Sequence, residues 1–164
     1  MVGRLSQGLL VLLALAGCKA LLNKDLTREP APSLDGGTWI SGKAPEHEWQ
    51  VVTFFALDSG RSIDNVPRLM ALRREFGPSG VAVIAITREP VEVTRLWATG
   101  HDAKYEIQAQ GSMAFERWGV GSVDAAPIYL VDPNGWVLAE GFDDCIEILR
   151  ERLGSPEAPP EKNK

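Results

Sequence analysis

Two uninterrupted apolar runs organise this chain. Residues 50–56 (Gln-Val-Val-Thr-Phe-Phe-Ala) and 81–87 (Val-Ala-Val-Ile-Ala-Ile-Thr) are rich in β-branched side chains and show no polar alternation. That is the pattern of strands buried on both faces. Between them Ile63, Val66, Leu69, Met70, Arg73 and Phe76 follow helical spacing, and Gly77-Pro78 ends the segment. Strand, helix and strand in this order predict a right-handed crossover joining two parallel strands. Downstream, the pattern predicts a helix over 91–99, a short strand near 105–109 and a helix over 112–118. Residues 128–132 and 136–140 flank Pro133-Asn134-Gly135, a turn signal that predicts an antiparallel hairpin. An amphipathic helix over 143–153, with Ile146, Leu149 and Leu153 on one face, closes the periodic region.

The two ends differ in character. Arg4 supplies a short positive segment, residues 8–16 are continuously apolar, and Leu15-Ala16-Gly17-Cys18 matches a bacterial lipobox. The apolar run is too short to cross a bilayer, which takes about 20 residues. Its similarity to lipoprotein signal peptides implies removal of residues 1–17, lipidation of Cys18 and attachment to a membrane of the bacterial envelope. Lys19, rather than aspartate, follows the cysteine, which resembles an outer-membrane sorting context facing the periplasm. Residues 18–37 have no sustained periodicity and end in proline- and glycine-rich sequence, so they read as a lipidated tether holding the domain off the membrane. Residues 154–164, with Pro156, Pro159 and Pro160 among charges, read as a disordered tail. The globular domain is expected over 38–153.

Charge and cysteine content narrow the function. The chain holds 17 Lys and Arg against 22 Asp and Glu, and removal of residues 1–17 would take the formal charge from −5 to −6 by losing Arg4. Nucleic-acid binding needs clustered cations to displace counterions, so this balance excludes it. The one adjacent basic pair, Arg73-Arg74, reads as the solvated face of a helix. Of two cysteines, Cys18 is assigned to lipid, and Cys145 is left with no disulfide partner in the chain. Helical spacing sets Cys145 near the buried side of the last helix, where a free cysteine behaves as a small apolar residue. Two isolated histidines, His47 and His101, lack metal-ligand spacing, and no cofactor motif is visible.

Three segments carry a resemblance. The first is Phe54-Phe55-Ala56-Leu57-Asp58-Ser59-Gly60-Arg61-Ser62-Ile63-Asp64-Asn65-Val66-Pro67, the second Phe115-Glu116-Arg117-Trp118-Gly119-Val120, and the third Ala126-Pro127-Ile128-Tyr129-Leu130-Val131-Asp132 running on to Gly135. In this order they resemble the thioredoxin-like superfamily, above all its membrane-anchored TlpA-like and AhpC-TSA (redoxin) members. The resemblance implies an α/β fold, a three-layer α/β/α sandwich around a central mixed sheet. It implies that Ser59-Gly60-Arg61-Ser62 stands where the family carries C-x-x-C, that Asp58 replaces the preceding tryptophan, and that Pro67 keeps the helix proline in register. It also implies a cis-proline at Pro127, with the Ala126 backbone facing the degenerate motif and pairing with an extended peptide. The stretch from Val120 to Pro127 is a few residues longer than the family's turn.

Chemistry at these positions is restricted. A serine at a helix N-terminus is too weak an acid to ionise and forms no mixed disulfide, so exchange through Ser59 is excluded. No base neighbours it in sequence for nucleophilic catalysis. Ser59 and Ser62 instead suit hydrogen-bonding to first-turn N–H groups. A binding edge of Asp58, Gly60, Arg61, Ala126 and Pro127 is the expected functional remnant, serving a peptide or envelope-protein partner without redox activity. The alternative is an enzyme of the family, a thiol:disulfide oxidoreductase or a peroxiredoxin-type antioxidant. The latter places its cysteine a few residues deeper, and no residue between Cys18 and Cys145 is a cysteine.

Overall fold

The computed structural model describes residues 24–124 and 126–154. The lipobox, Cys18 and the expected tail from residue 155 onward lie outside the described residues. In chain order the elements are β1 Thr38–Ser41, β2 Trp49–Phe54, α1 Gly60–Phe76, β3 Val81–Ile86, α2 Val91–Gly100, β4 Glu106–Ala109, α3 Ser112–Arg117, β5 Ile128–Val131, β6 Val137–Glu140 and α4 Phe142–Leu153. The six strands form one sheet in the order β1-β4-β3-β2-β5-β6. β2, β3 and β4 run parallel, while β5, β6 and β1 are antiparallel to their neighbours. Helices lie on both faces, which makes the molecule a three-layer α/β/α sandwich around a mixed sheet.

The apolar runs take the centre because each of their faces has a layer to bury against. All six residues of β3 are buried, as are the last four of β2. On one face Val51, Val83, Ile107 and Leu130 meet Val66, Leu69, Leu72 and Phe76 of α1 and Cys145 and Leu149 of α4. Trp97 and Ala98 of α2 pack at the margin of that cluster. On the other face Val52, Phe54, Ile84, Ile86 and Tyr129 meet Ala114 and Phe115 of α3, Trp118 and Leu26. Edge-on packing of Phe54 against Phe115, with ring centres 4.9 Å apart, anchors this second layer.

Two regions depart from the sequence expectations. β1 is a strand that the pattern did not disclose; it is four residues long, pairs only with β4 and carries an irregularity between Trp39 and Ser41. More consequential, the expected tether is not free along its described part. Leu26 is 1% exposed within the second core cluster. The Arg28 N–H donates to Val137 O at 2.7 Å, Val137 N–H donates to Glu29 O at 2.9 Å and Ala31 N–H donates to Gly135 O at 2.7 Å. Residues 28–31 thus lie along the outer edge of β6, capping an edge that would otherwise offer unpaired backbone groups. Near its start, Lys24 N–H donates to Gly119 O, and a Cβ at Gly119 would stand 2.6 Å from Lys24 Cβ. Gly119 also has φ +65°, so both the close approach and the backbone favour glycine there.

Leu26→Ala should therefore destabilise the protein by about 3 kcal/mol, the usual cost of emptying a sealed leucine site. Chemical denaturation checks this; a change below about 0.5 kcal/mol, the range of ordinary surface substitutions, would show that the segment does not belong to the folded core.

Candidate functional site

The C-terminal end of β2 and the start of β5 are locked together before any functional side chain is placed. The Pro127 carbonyl accepts from Phe54 N–H and from Thr53 Oγ1, each at 3.1 Å. From Phe54 the chain turns through residues 55–59 into α1. Ser59 is the N-cap of that helix, with φ −80° and ψ 118°, and its hydroxyl accepts a long bond of 3.4 Å from Ser62 N–H. Its carbonyl accepts from Ile63 N–H at 3.1 Å. Ser62 does not cap a first-turn donor: it is 4% exposed, and its Oγ accepts from Ala56 N–H at 3.3 Å, tying the loop to the helix.

A groove of about 440 Å³ runs beside this helix start. Arg61, Asp64, Asn65 and Arg68 of α1 form one wall, Ala126, Pro127 and Ile128 another, and Glu140, Gly141, Phe142 and Asp143 the third. The groove brings together Arg61, Ala126 and Pro127 of the expected binding edge. Ser59, Asp58 and Gly60 are not among its lining residues; Ser62 lies under it, in a small void shared with Asn65, Thr53 and Ala126.

The backbone opposite the helix differs from what the resemblance implied. The peptide bond into Pro127 is trans, as no cis bond occurs among the described residues. Ala126 is 5% exposed, has φ 45°, and spends its N–H on Val123 O at 2.8 Å within its own loop. The main-chain donor that a docked strand would use is therefore engaged internally, and the Pro127 carbonyl is turned inward to β2.

Electrostatically the groove is divided. The first turn of α1 contains no acidic residue, so the partial positive charge of the helix start faces solvent beside Arg61 and the exposed Asp58. Arg68 sits 3.2 Å from the Asp143 carboxylate and 3.9 Å from the centre of the Phe142 ring, bridging α1 to α4. Both charged partners are largely exposed, and such a pair is worth little as stability; its role is to fix one end of the groove. Burial, and secondarily Asp25, pushes the Glu140 carboxyl above the usual carboxylate range. Among the described residues no group of three or more His, Cys, Asp or Glu side chains is placed to hold a metal ion.

Cys145 lies elsewhere, in the core under α4. It is 0% exposed, and burial, followed by the Asp144 charge, pushes its thiol up to about 12. A thiol so placed is a poor nucleophile at neutral pH.

Sequence reasoning missed Asn65, Glu140 and Phe142. The helical pattern assigned Ile63 to the buried face of α1, yet Ile63 is 37% exposed and Asn65 is 8% exposed. The available signal was spacing: Asn65, Leu69, Leu72 and Phe76 form one stripe, with a polar residue at its first position.

No family model matches this sequence, and no curated protein matches it. Solved structures do. The thioredoxin domain of a thiol-disulfide oxidoreductase from Bacteroides vulgatus superposes with a TM-score of 0.66 at 17% identity, covering 78% of this chain and 98% of that one. A thiol-disulfide oxidoreductase from Bacteroides fragilis gives 0.57 at 13% identity over 65% of this chain and 82% of that one. Xanthomonas campestris peroxiredoxin Q gives 0.56 at 15% identity over 65% and 80%. At these identities the likeness establishes architecture rather than activity. The chain has the thioredoxin-like fold.

Proposed function

We propose that this protein is a lipid-anchored thioredoxin-like domain of the bacterial envelope that binds an extended peptide or protein segment without exchanging thiols. One observation carries the reading. The N-cap of α1, where the resemblance sets the nucleophilic cysteine, is Ser59, while the groove between that helix and residues 126–128 persists at about 440 Å³. A serine hydroxyl cannot substitute for a thiolate in disulfide exchange. A cleft of this size, lined by both apolar and charged residues, is sufficient for recognition.

The alternative reading, a thiol:disulfide oxidoreductase or peroxidase, would have to work through Cys145. Burial pushes its thiol up to about 12, so it stays protonated at pH 7, inside a core that substrates do not reach. Fold likeness to oxidoreductases does not counter this, because function resides in the site and not in the scaffold.

Supplied with dithiothreitol, the purified protein should reduce insulin disulfides and consume hydroperoxide no faster than its Cys145→Ser variant, and Cys145 should react with a thiol reagent only after unfolding in urea. Turnover above the variant would establish the enzymatic reading instead.

The anchor is tested separately. Labelled palmitate supplied to expressing cells should enter the wild-type chain, and Cys18→Ala should be unlabelled and leave the membrane fraction. Label retained by the variant would refute lipidation at Cys18.

A further inference from the structure

Asn65 is the anomaly of the groove. It is 8% exposed on a stripe it shares with Leu69, Leu72 and Phe76, a position that would ordinarily hold an apolar side chain. No hydrogen bond or ion pair engages its amide among the described residues. Neither amide atom is among the fully buried polar atoms that lack a hydrogen bond, so the amide keeps its opening to solvent while the rest of the side chain is buried; an aliphatic residue at this place on the stripe would bury without any polar group to hydrate. Nor is the amide sealed in the core: Asn65 lines the groove and the small void beneath it.

A primary amide has two donors and one acceptor in a plane. An extended peptide residue offers its own N–H and C=O along one edge, and in a sheet those groups would be met by a neighbouring backbone. Here two of the neighbouring backbone groups are already engaged, the Ala126 N–H by Val123 O and the Pro127 carbonyl by β2. Asn65 faces the same space with the complementary pair of groups. The facing walls contribute Pro127, Ile128 and Phe142, which suit an apolar side chain. Of the charges around the groove, Arg68 is paired with Asp143, whereas Asp64, Glu140 and Arg61 have no ion-pair partner among the described residues. That leaves two carboxylates against one cation, a balance that favours a basic peptide.

We propose that Asn65 is the recognition residue of the groove: its side-chain amide pairs with the main-chain N–H and C=O of one residue of an extended, basic peptide whose apolar side chain rests on Pro127, Ile128 and Phe142. The assignment rests on the peptide-binding reading above and replaces backbone pairing at Ala126 by a side-chain amide.

The test uses the full chain in detergent micelles, ¹⁵N-labelled, titrated with the end-blocked pentapeptide acetyl-Ala-Lys-Phe-Lys-Ala-amide. Two controls accompany it, the same peptide with Glu for both Lys and the same peptide N-methylated at Phe. The Lys peptide should shift the Asn65 side-chain NH₂ and the Gly141 and Phe142 amides saturably. The Asn65→Leu variant should bind about tenfold more weakly, the size expected for losing a pair of hydrogen bonds of ordinary strength, and the N-methyl peptide, which loses only the N–H of that pair, about threefold more weakly. The Glu peptide should bind more weakly still. Asn65→Leu should melt at the same temperature as wild type or above it. Equal binding by wild type and Asn65→Leu would overturn the role of Asn65 while leaving the groove reading intact. A large fall in the melting temperature of Asn65→Leu would also overturn it, by showing that the amide serves the core. Absence of saturable shifts with all three peptides would remove both the role and the reading on which it rests.

Discussion

The Pro127 carbonyl accepts two hydrogen bonds from β2, one from the Phe54 backbone and one from the Thr53 hydroxyl. Everything at the candidate site is positioned by that junction. β2 is paired on both sides, parallel to β3 and antiparallel to β5, and its residues Val51, Val52 and Phe54 are sealed on both faces of the sheet. A strand held in this way has one register available, since a slip of one residue would exchange the two faces. The helix that follows must then begin beside Ala126, and α4 must begin beside both. The groove is the space left where these three starts converge.

What such a site does depends on side chains that the fold leaves open to change. The positive end of α1 would stabilise an ionised thiol at its first turn, but a serine there merely satisfies a backbone donor. On the proposed reading the site would keep its shape without the reaction. The loop before Pro127 follows the same trend. Ala126 takes a positive φ and returns its N–H to Val123, closing the main-chain contact that an extended ligand would have used. In the function proposed here, recognition would fall to the walls of the groove, to Arg61, Asn65, Glu140 and Phe142.

Much of the fold was legible because its central strands are continuous apolar runs and its hairpin is marked by Asn134-Gly135. β1 was not, because four residues between glycines, paired on one side only, leave no periodic trace. The segment over 24–31 was hidden for a different reason. It joins the domain through backbone bonds, which no side-chain pattern records, and through one fully buried apolar side chain, Leu26, with Ala31 packed partly against the same cluster. At the site, the position of Ser59 followed from the register between Phe54 and Pro67. The groove itself did not, because its walls come from three separated stretches and its buried polar member, Asn65, occupies a place that helical periodicity assigns to an apolar residue.

On the proposed reading the start of α1 keeps the geometry of a thiol site with hydroxyls at its two sulfur positions, although Asp58 and the trans bond into Pro127 also set it apart. Insulin reduction by the Ser59→Cys/Ser62→Cys double variant, with dithiothreitol as donor, tests this most directly. A 59–62 disulfide should form under mild oxidant and turnover should rise measurably above wild type, at a rate held down by the Asp58 carboxylate raising the pKa of the adjacent thiol. A folded double variant that forms no such disulfide, or that forms it and leaves insulin unreduced, would contradict the claim.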